Sequence, residues 1–218
     1  MREARRLIGR AVFTEHDALA DEPDGRAPVR PDAIAITEFS LDSLACTTER
    51  LPGAGALCDG QLFQMEVSRP GQVPYGALLP RELDNLLVVT TVSATHVGWG
   101  TVRQTPTQMH IAESAAWAAV LALRNGVTPA ALEVAALQRH LVSHGVMITF
   151  FNDLDMATPG DWVPALQYFG ARGFFESYDA APHRPCDAAT LARWAKDRAA
   201  LAARPTRADL CRALFEGG

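Results

Sequence analysis

Three features of the sequence predict a mixed α/β fold. Residues 85–92 are apolar almost throughout, the pattern of a strand buried on both faces. Residues 61–67 alternate polar and apolar side chains, as a half-buried strand does. An alanine-rich run from Thr105 to about Arg124 carries helix start and stop signals at its two ends.

Taken in chain order, residues 1–30 are rich in charge, proline and glycine, and residues 21–28 hold too many helix breakers for regular structure, so they read as a surface loop. Residues 33–39 are short, β-branched and aromatic, a strand signal, and Leu51-Pro52-Gly53-Ala54-Gly55 marks a turn before the strand at 61–67. After the run at 85–92, Gly98 and Gly100 predict a glycine turn that feeds the helix. Thr105 is placed to cap that helix, Pro106 suits its first position, Gln108 completes a capping box, and Gly126 suits a left-handed exit. Residues 129–144 read as a second helix, with Leu132, Ala136, Leu137 and Leu141 at helical spacing and Gly145 as its stop. Residues 147–151 fit a short strand or a buried extended segment. Turns follow at 152–155 and 159–161, then helices at 162–170 and 188–203, separated by Pro182-His183-Arg184-Pro185.

The 218 residues, 48% hydrophobic and 21% charged, are enough for a real core and exclude disordered and disulfide-dense classes. A net charge of −5 has the wrong sign for a phosphate backbone, so no nucleic-acid partner is expected. No apolar stretch reaches the about 20 residues of a membrane span, and the first residues carry no signal-like apolar block, so a cytoplasmic location is expected. Cys46, Cys58, Cys186 and Cys211 lie too far apart for a CxxC pair and read as free thiols. No metal is expected. His140 and His144 share the i,i+4 spacing of a two-histidine clip but have no acidic residue between them. Asn152-Asp153-Leu154-Asp155 begins like a calcium loop, without its glycine and terminal glutamate, and reads as a turn.

The candidate site is the stretch 95–103 and the helix start behind it. Unpaired N–H groups and the positive end of the dipole face whatever lies ahead of a helix N-terminus, and glycines permit close approach to backbone. An anion or cofactor cradle and an ordinary strand–helix connection with packing glycines both satisfy this pattern.

The segments Val73-Pro74-Tyr75-Gly76-Ala77-Leu78-Leu79-Pro80, Asp84-Asn85-Leu86-Leu87-Val88, Ser93-Ala94-Thr95-His96-Val97 through Arg103, Pro106-Thr107 and Ala112-Glu113-Ser114-Ala115-Ala116 occur in this order. Together they resemble the C-terminal half of bacterial FAD-dependent oxidoreductases with a glutathione-reductase-like fold. With residues 2–6 and 32–43, the resemblance covers about residues 2–145. It implies that residues 1–145 are the C-terminal part of such an enzyme, substrate-domain strands plus a flavin-facing strand–helix, and that residues 146–218 are a mainly helical C-terminal extension. It implies FAD as cofactor, a small-molecule substrate of unknown identity, and a helix N-terminus directed at the pyrimidine edge of the isoalloxazine. The positions carried over to the flavin side are Ser93, Thr95, His96, Gly100, Arg103, Pro106 and Thr107. His96 reads equally as a core histidine or a proton-transfer group, Arg103 also as a surface cation, and no catalytic residue is named.

Two departures accompany the resemblance. Thr90-Thr91, Ala112 and Ala116 stand where the family often has glycine, which adds Cβ atoms near the cofactor. The family's N-terminal GxGxxG unit is missing: Gly53-Ala54-Gly55 is followed by Cys58, and Gly98-Trp99-Gly100 by Arg103, where the third glycine would stand. The expected partner is therefore a missing N-terminal dinucleotide-binding half, lost by truncation or supplied by a second chain. A sheet that lacks partner strands would make the isolated chain prone to self-association. The alternatives are a non-catalytic binding or assembly module and one subunit of a two-chain flavoenzyme. Residues 149–196 also loosely resemble a surface-layer homology module; the other reading is a helical cap in which Trp162, Tyr168, Phe169, Phe174 and Phe175 are packing residues.

Overall fold

A computed structural model describes residues 5–22, 25–44, 62–195 and 205–217. The turn signal at 51–55, Cys46, Cys58 and the end of the helix expected at 188–203 lie outside the described residues. Within them the fold is mixed α/β: two small antiparallel ribbons, six α-helices and a helical C-terminal part.

β1 (Ala33–Thr37) pairs antiparallel with β4 (Gly71–Pro74), with Ala35 opposite Val73 and Thr37 opposite Gly71, and an irregularity between Ala33 and Ala35. β2 (Leu41–Ser43) pairs with β3 (Leu62–Gln64). β1 and β4 are buried nearly throughout, so main-chain groups left over by a two-stranded ribbon need partners in a dry interior. Side chains from two helices supply them. Ser114 donates to the Ile34 carbonyl at 2.6 Å, and Gln138 to the carbonyls of Ala33 at 2.8 Å and Pro31 at 2.9 Å. Those helices are α2 (Thr105–Asn125) and α3 (Val134–Ser143), preceded by α1 (His96–Val102). The second predicted helix is thus real, but a separate 3-10 turn occupies Pro129–Ala131 ahead of it.

Residues 85–92 depart from expectation. They form no regular element and bend at 85 and at 90–91, no described strand pairs with them, and only Val92 is buried, with Leu86 42% exposed. Their backbone contacts are isolated: Val88 N–H donates to Leu78 and Leu7 N–H to Thr91. An apolar pattern favours burial, but a strand also needs a neighbouring ladder of donors and acceptors.

The glycine turn is also corrected, because Gly98 and Gly100 lie inside helix α1. Thr95 caps it, its hydroxyl accepting from Gly98 N–H at 3.0 Å. Glycine costs a helix interior roughly 1 kcal/mol relative to alanine. Here its role is contact: a Cβ on Gly100 would lie 2.5 Å from the Asp42 carbonyl oxygen and 2.6 Å from the Asp42 nitrogen. α1 therefore sits directly on the backbone of β2. Gly100→Ala is expected to lose about 1–3 kcal/mol of stability by forced displacement, more than the helix-propensity gain. An unchanged urea midpoint would show that the two elements can separate freely.

The N-terminal segment is more ordered than its composition suggests. Phe13 is fully buried and bridges Ala94 in parallel, while Gly9 bridges Pro80 and Leu19 bridges Ser68. A 3-10 turn at Glu15–Ala18 places Asp17, 4% exposed, against Arg30, with nitrogen–oxygen distances of 2.6 and 2.9 Å.

In the C-terminal part, α4 (Val163–Gly170), α5 (Ala188–Trp194) and α6 (Arg207–Glu216) surround Tyr168, Phe169, Phe175 and Trp194, all buried. Residues 147–151 form no strand. They are held instead by two buried glutamines: Gln167 accepts from Ile148 and Thr149 N–H, and Gln72 donates to the Ile148 carbonyl and the Thr149 hydroxyl. Tyr178 adds a second join, donating to the Pro70 carbonyl and accepting from Ala27 N–H. Residues 152–158 form turns, in which Asp155 accepts from Ala157 N–H.

Candidate functional site

The elbow between α1 and α2 borders a cavity of about 530 Å³, lined by Thr90, Thr91, Trp99, Arg103, Thr105, Gln108, Met109 and Ala112. That volume falls in the roughly 300–1,000 Å³ range of small-molecule sites. Thr105, Gln108, Met109 and Ala112 are spaced i, i+3, i+4, i+7, so they form one face of the first two turns of α2.

The expected capping box is absent. Gln104 is the N-cap, Thr105 and Pro106 open the helix, and no side chain caps it. Gln108 reaches back instead to the last carbonyl of α1, donating from Nε2 to Val102 at 2.6 Å. A helix end leaves carbonyls without intrahelical partners, and with α1 ending two residues before the α2 N-cap, this one takes the glutamine that would have closed the box. The C-terminal expectation holds: Gly126 adopts φ 65°, the left-handed exit.

Arg103 is the one carried-over residue on this cavity. Its side chain is 9% exposed, and its Nη2 lies 2.6 Å from the Asp42 carboxylate and 3.3 Å from the Asp42 carbonyl. Among the described residues, its buried Nε has no hydrogen-bond partner, and neither has the buried Oε1 of Gln108. Because the Gln108 amide faces the Val102 carbonyl, the donor end is fixed there and the orphan atom is an acceptor. Both residues line the cavity, but these two atoms are themselves closed to solvent, packed near the indole of Trp99, which is 2% exposed.

The other carried-over positions lie elsewhere. Pro106 and Thr107 border a smaller cavity of about 160 Å³ with Ile36, Glu38 and His110, on a different face of α2. Burial pushes the His110 imidazole below its ordinary value, partly opposed by a hydrogen bond to the Met147 backbone. Ser93 is 2% exposed, and its carbonyl accepts from Phe13 N–H. Thr95 caps α1 and donates to Glu15, Gly100 seats α1 on Asp42, and half-buried His96 opens α1, its carbonyl accepting from Ser43. Four of the seven positions therefore build and anchor the elbow beneath the cavity.

Met109 was not singled out by the sequence reasoning, Gln108 was read only as a capping residue, and Trp99 lay in the candidate stretch without being carried to the flavin side. The signal was available: once 96–102 is helical, Trp99 and Arg103 are i, i+4 neighbours. His140 and His144 stack at 4.0 Å between ring centroids, both against Trp117. Among the described residues no group of three His, Cys, Asp or Glu is arranged to hold a metal ion. Cys186 and Cys211 are free and buried, and burial raises both thiols above their ordinary range. No described helix is long and apolar enough to cross a membrane.

Compared with known proteins, residues 1–141 match a family model described as FAD dependent oxidoreductase. No curated protein and no solved structure matches the chain.

Proposed function

We propose that this chain, which belongs to the family of FAD-dependent oxidoreductases, forms the C-terminal, flavin-facing part of such an enzyme in a glutathione-reductase-like fold. The observation that carries this is the cavity at the α1–α2 elbow, whose volume and largely apolar wall, edged by a few polar side chains, suit a flavin ring. Trp99, Met109 and Ala112 would lie along the ring, and Arg103, Thr105 and Gln108 at its polar edge. When bound, FAD would supply hydride transfer, while the protein orients the ring and sets its electrostatic surroundings. The N-terminus of α2 contributes about 0.3–1 kcal/mol toward negative charge on the ring, enough to bias orientation but not to hold the cofactor.

The adenine end needs other chain. No GxGxxG occurs in the 218 residues, so a dinucleotide-binding unit, on a longer parent or a separate subunit, completes the proposed enzyme. Residues 146–218 are then a helical extension on the body formed by 1–145. The proposed location is the cytoplasm, with buried thiols Cys186 and Cys211 supporting a reducing compartment. The substrate is a small molecule.

A specific observation also favours a non-catalytic binding module. Of the residues that stand where glycine is expected, Thr90, Thr91 and Ala112 line the cavity, and Ala116 is not among its lining residues. A titration with FAD, alone and after co-expression with a GxGxxG-bearing half, separates the readings. A bound-flavin spectrum in either arm is the expected result. A stable, folded and colourless protein in both arms would favour the binding module and end the enzyme reading.

A further inference from the structure

We propose that Arg184, Arg193 and Arg207, in the C-terminal helical part, hold the phosphoryl group of a small phosphate monoester. The site lies outside the family-matched residues 1–141 and does not depend on the flavin reading.

Three separate segments bring these guanidinium groups together. Pro185 bridges Thr206 in antiparallel fashion, Arg207 N–H donates to the Arg184 carbonyl at 3.0 Å, and Cys186 N–H donates to the Pro205 carbonyl at 2.9 Å. Arg184 therefore stands directly opposite Arg207, the first residue of α6, in an arrangement where like charges repel. Arg193 comes from the last turn of α5. All three line a cavity of about 410 Å³ with Phe174 and Ser177, and all three also line an adjoining one of about 260 Å³. The loop that carries Arg184 is held firmly: Ala181 takes left-handed backbone, φ 46°, and Asp153 accepts from both Ala180 and Ala181 N–H.

Many of the arginine donors are left over. Arg193 pairs with Glu176 at 2.6 Å and Arg207 donates to the Ala180 carbonyl at 3.0 Å, but among the described residues the Arg184 side chain makes no hydrogen bond or ion pair. The other carboxylates on these walls are engaged elsewhere, Asp187 by Thr190 N–H as the cap of α5 and Asp179 by the Asn152 amide. Hydrogen bonds from Thr190, with the nearby charges of Arg184 and Arg207, hold the Asp187 carboxyl below its ordinary value. Arg184 is exposed and the Arg193 side chain is 48% exposed, so an anion reaches them directly from solvent. Guanidinium groups only donate, so their complement is an anion that only accepts. A carboxylate brings two oxygens, whereas a phosphate monoester brings three and about two negative charges. That matches three arginines, and Phe174 offers wall for the organic group.

Calorimetric titration of the full chain at low salt compares phenyl phosphate with benzoate, which carries a carboxylate on the same ring. Phenyl phosphate is expected to bind about ten-fold or more tightly than benzoate. Arg184→Gln, with an unchanged melting curve, is expected to weaken it about ten-fold, and Glu176→Gln, which releases Arg193, to strengthen it about three-fold. Arg212→Gln removes the same charge from α6 at a residue that lines neither cavity, and is expected to leave binding unchanged. Absence of saturable binding, equal affinity for benzoate, an affinity untouched by Arg184→Gln, or an equal loss in Arg212→Gln overturns the proposal.

Discussion

Asp42→Ala is expected to cost about 3 kcal/mol of folding stability. Its carboxylate is the charged partner of Arg103, whose side chain is 9% exposed, and breaking a buried pair from one side typically costs about 3–5 kcal/mol because the other charge stays behind. Asp42 itself is 22% exposed, which places the value near the lower end. The only remaining contact to the guanidinium from this position would be the Asp42 carbonyl at 3.3 Å, and Arg103 Nε already lacks a partner. Urea unfolding measures the effect, and a loss below about 1 kcal/mol would mean that solvent reaches the guanidinium. Adding Arg103→Met to Asp42→Ala should recover most of the stability, since an apolar replacement of a whole buried pair is often neutral. Such a double variant should keep the fold while removing one polar residue from the cavity lining.

Gln167→Leu is the second large effect. The Gln167 side chain is fully buried, and its Oε1 accepts from both Ile148 N–H at 3.1 Å and Thr149 N–H at 2.9 Å. Leucine fills the space but accepts nothing, which strands two buried donors at about 1–3 kcal/mol each. The loss should centre on the join between the C-terminal helices and the rest of the molecule, because Gln72 grips the same two residues from β4. Thermal melting followed by tryptophan fluorescence is expected to broaden or split, with Trp162 and Trp194 reporting before Trp99 and Trp117. A single sharp transition at the original midpoint would refute this account of the join.

These two sites also show what could and could not be read from the chain. Helix α2 announces itself through alanine content, Pro106 and Gly126, all local signals, and β1 through a short β-branched run. Residues 85–92 carry an equally strong apolar signal, yet their pairing depends on which elements stand beside them, and a sequence pattern does not contain that. The N-cap of α2 is misread for a related reason: whether Gln108 closes a capping box or serves Val102 depends on α1 ending nearby. α6 is different, because Thr206 and Asp209 form a capping box visible in the sequence, and it was simply passed over. At the candidate site the start of α2 was legible within a residue, but the helix before it was not. Glycines that look like turn formers at 98 and 100 hide a helix, and with it the face bearing Trp99 and Arg103.

The strap formed by Gly9, Phe13 and Leu19 bears on the order in which the molecule assembles. Each of these residues bridges a partner dozens of positions downstream, at Pro80, Ala94 and Ser68. Large loops must close before any of the three bridges forms, an entropic toll that local helices avoid. Phe13 accepts from Thr95 N–H, the residue that caps α1, so the beginning of the chain is fastened to the start of α1 by a contact that spans most of the first hundred residues. The entry to α1 beside the pocket is thus tied to contacts of long sequence separation, unlike α2, whose helical backbone hydrogen bonds are all local.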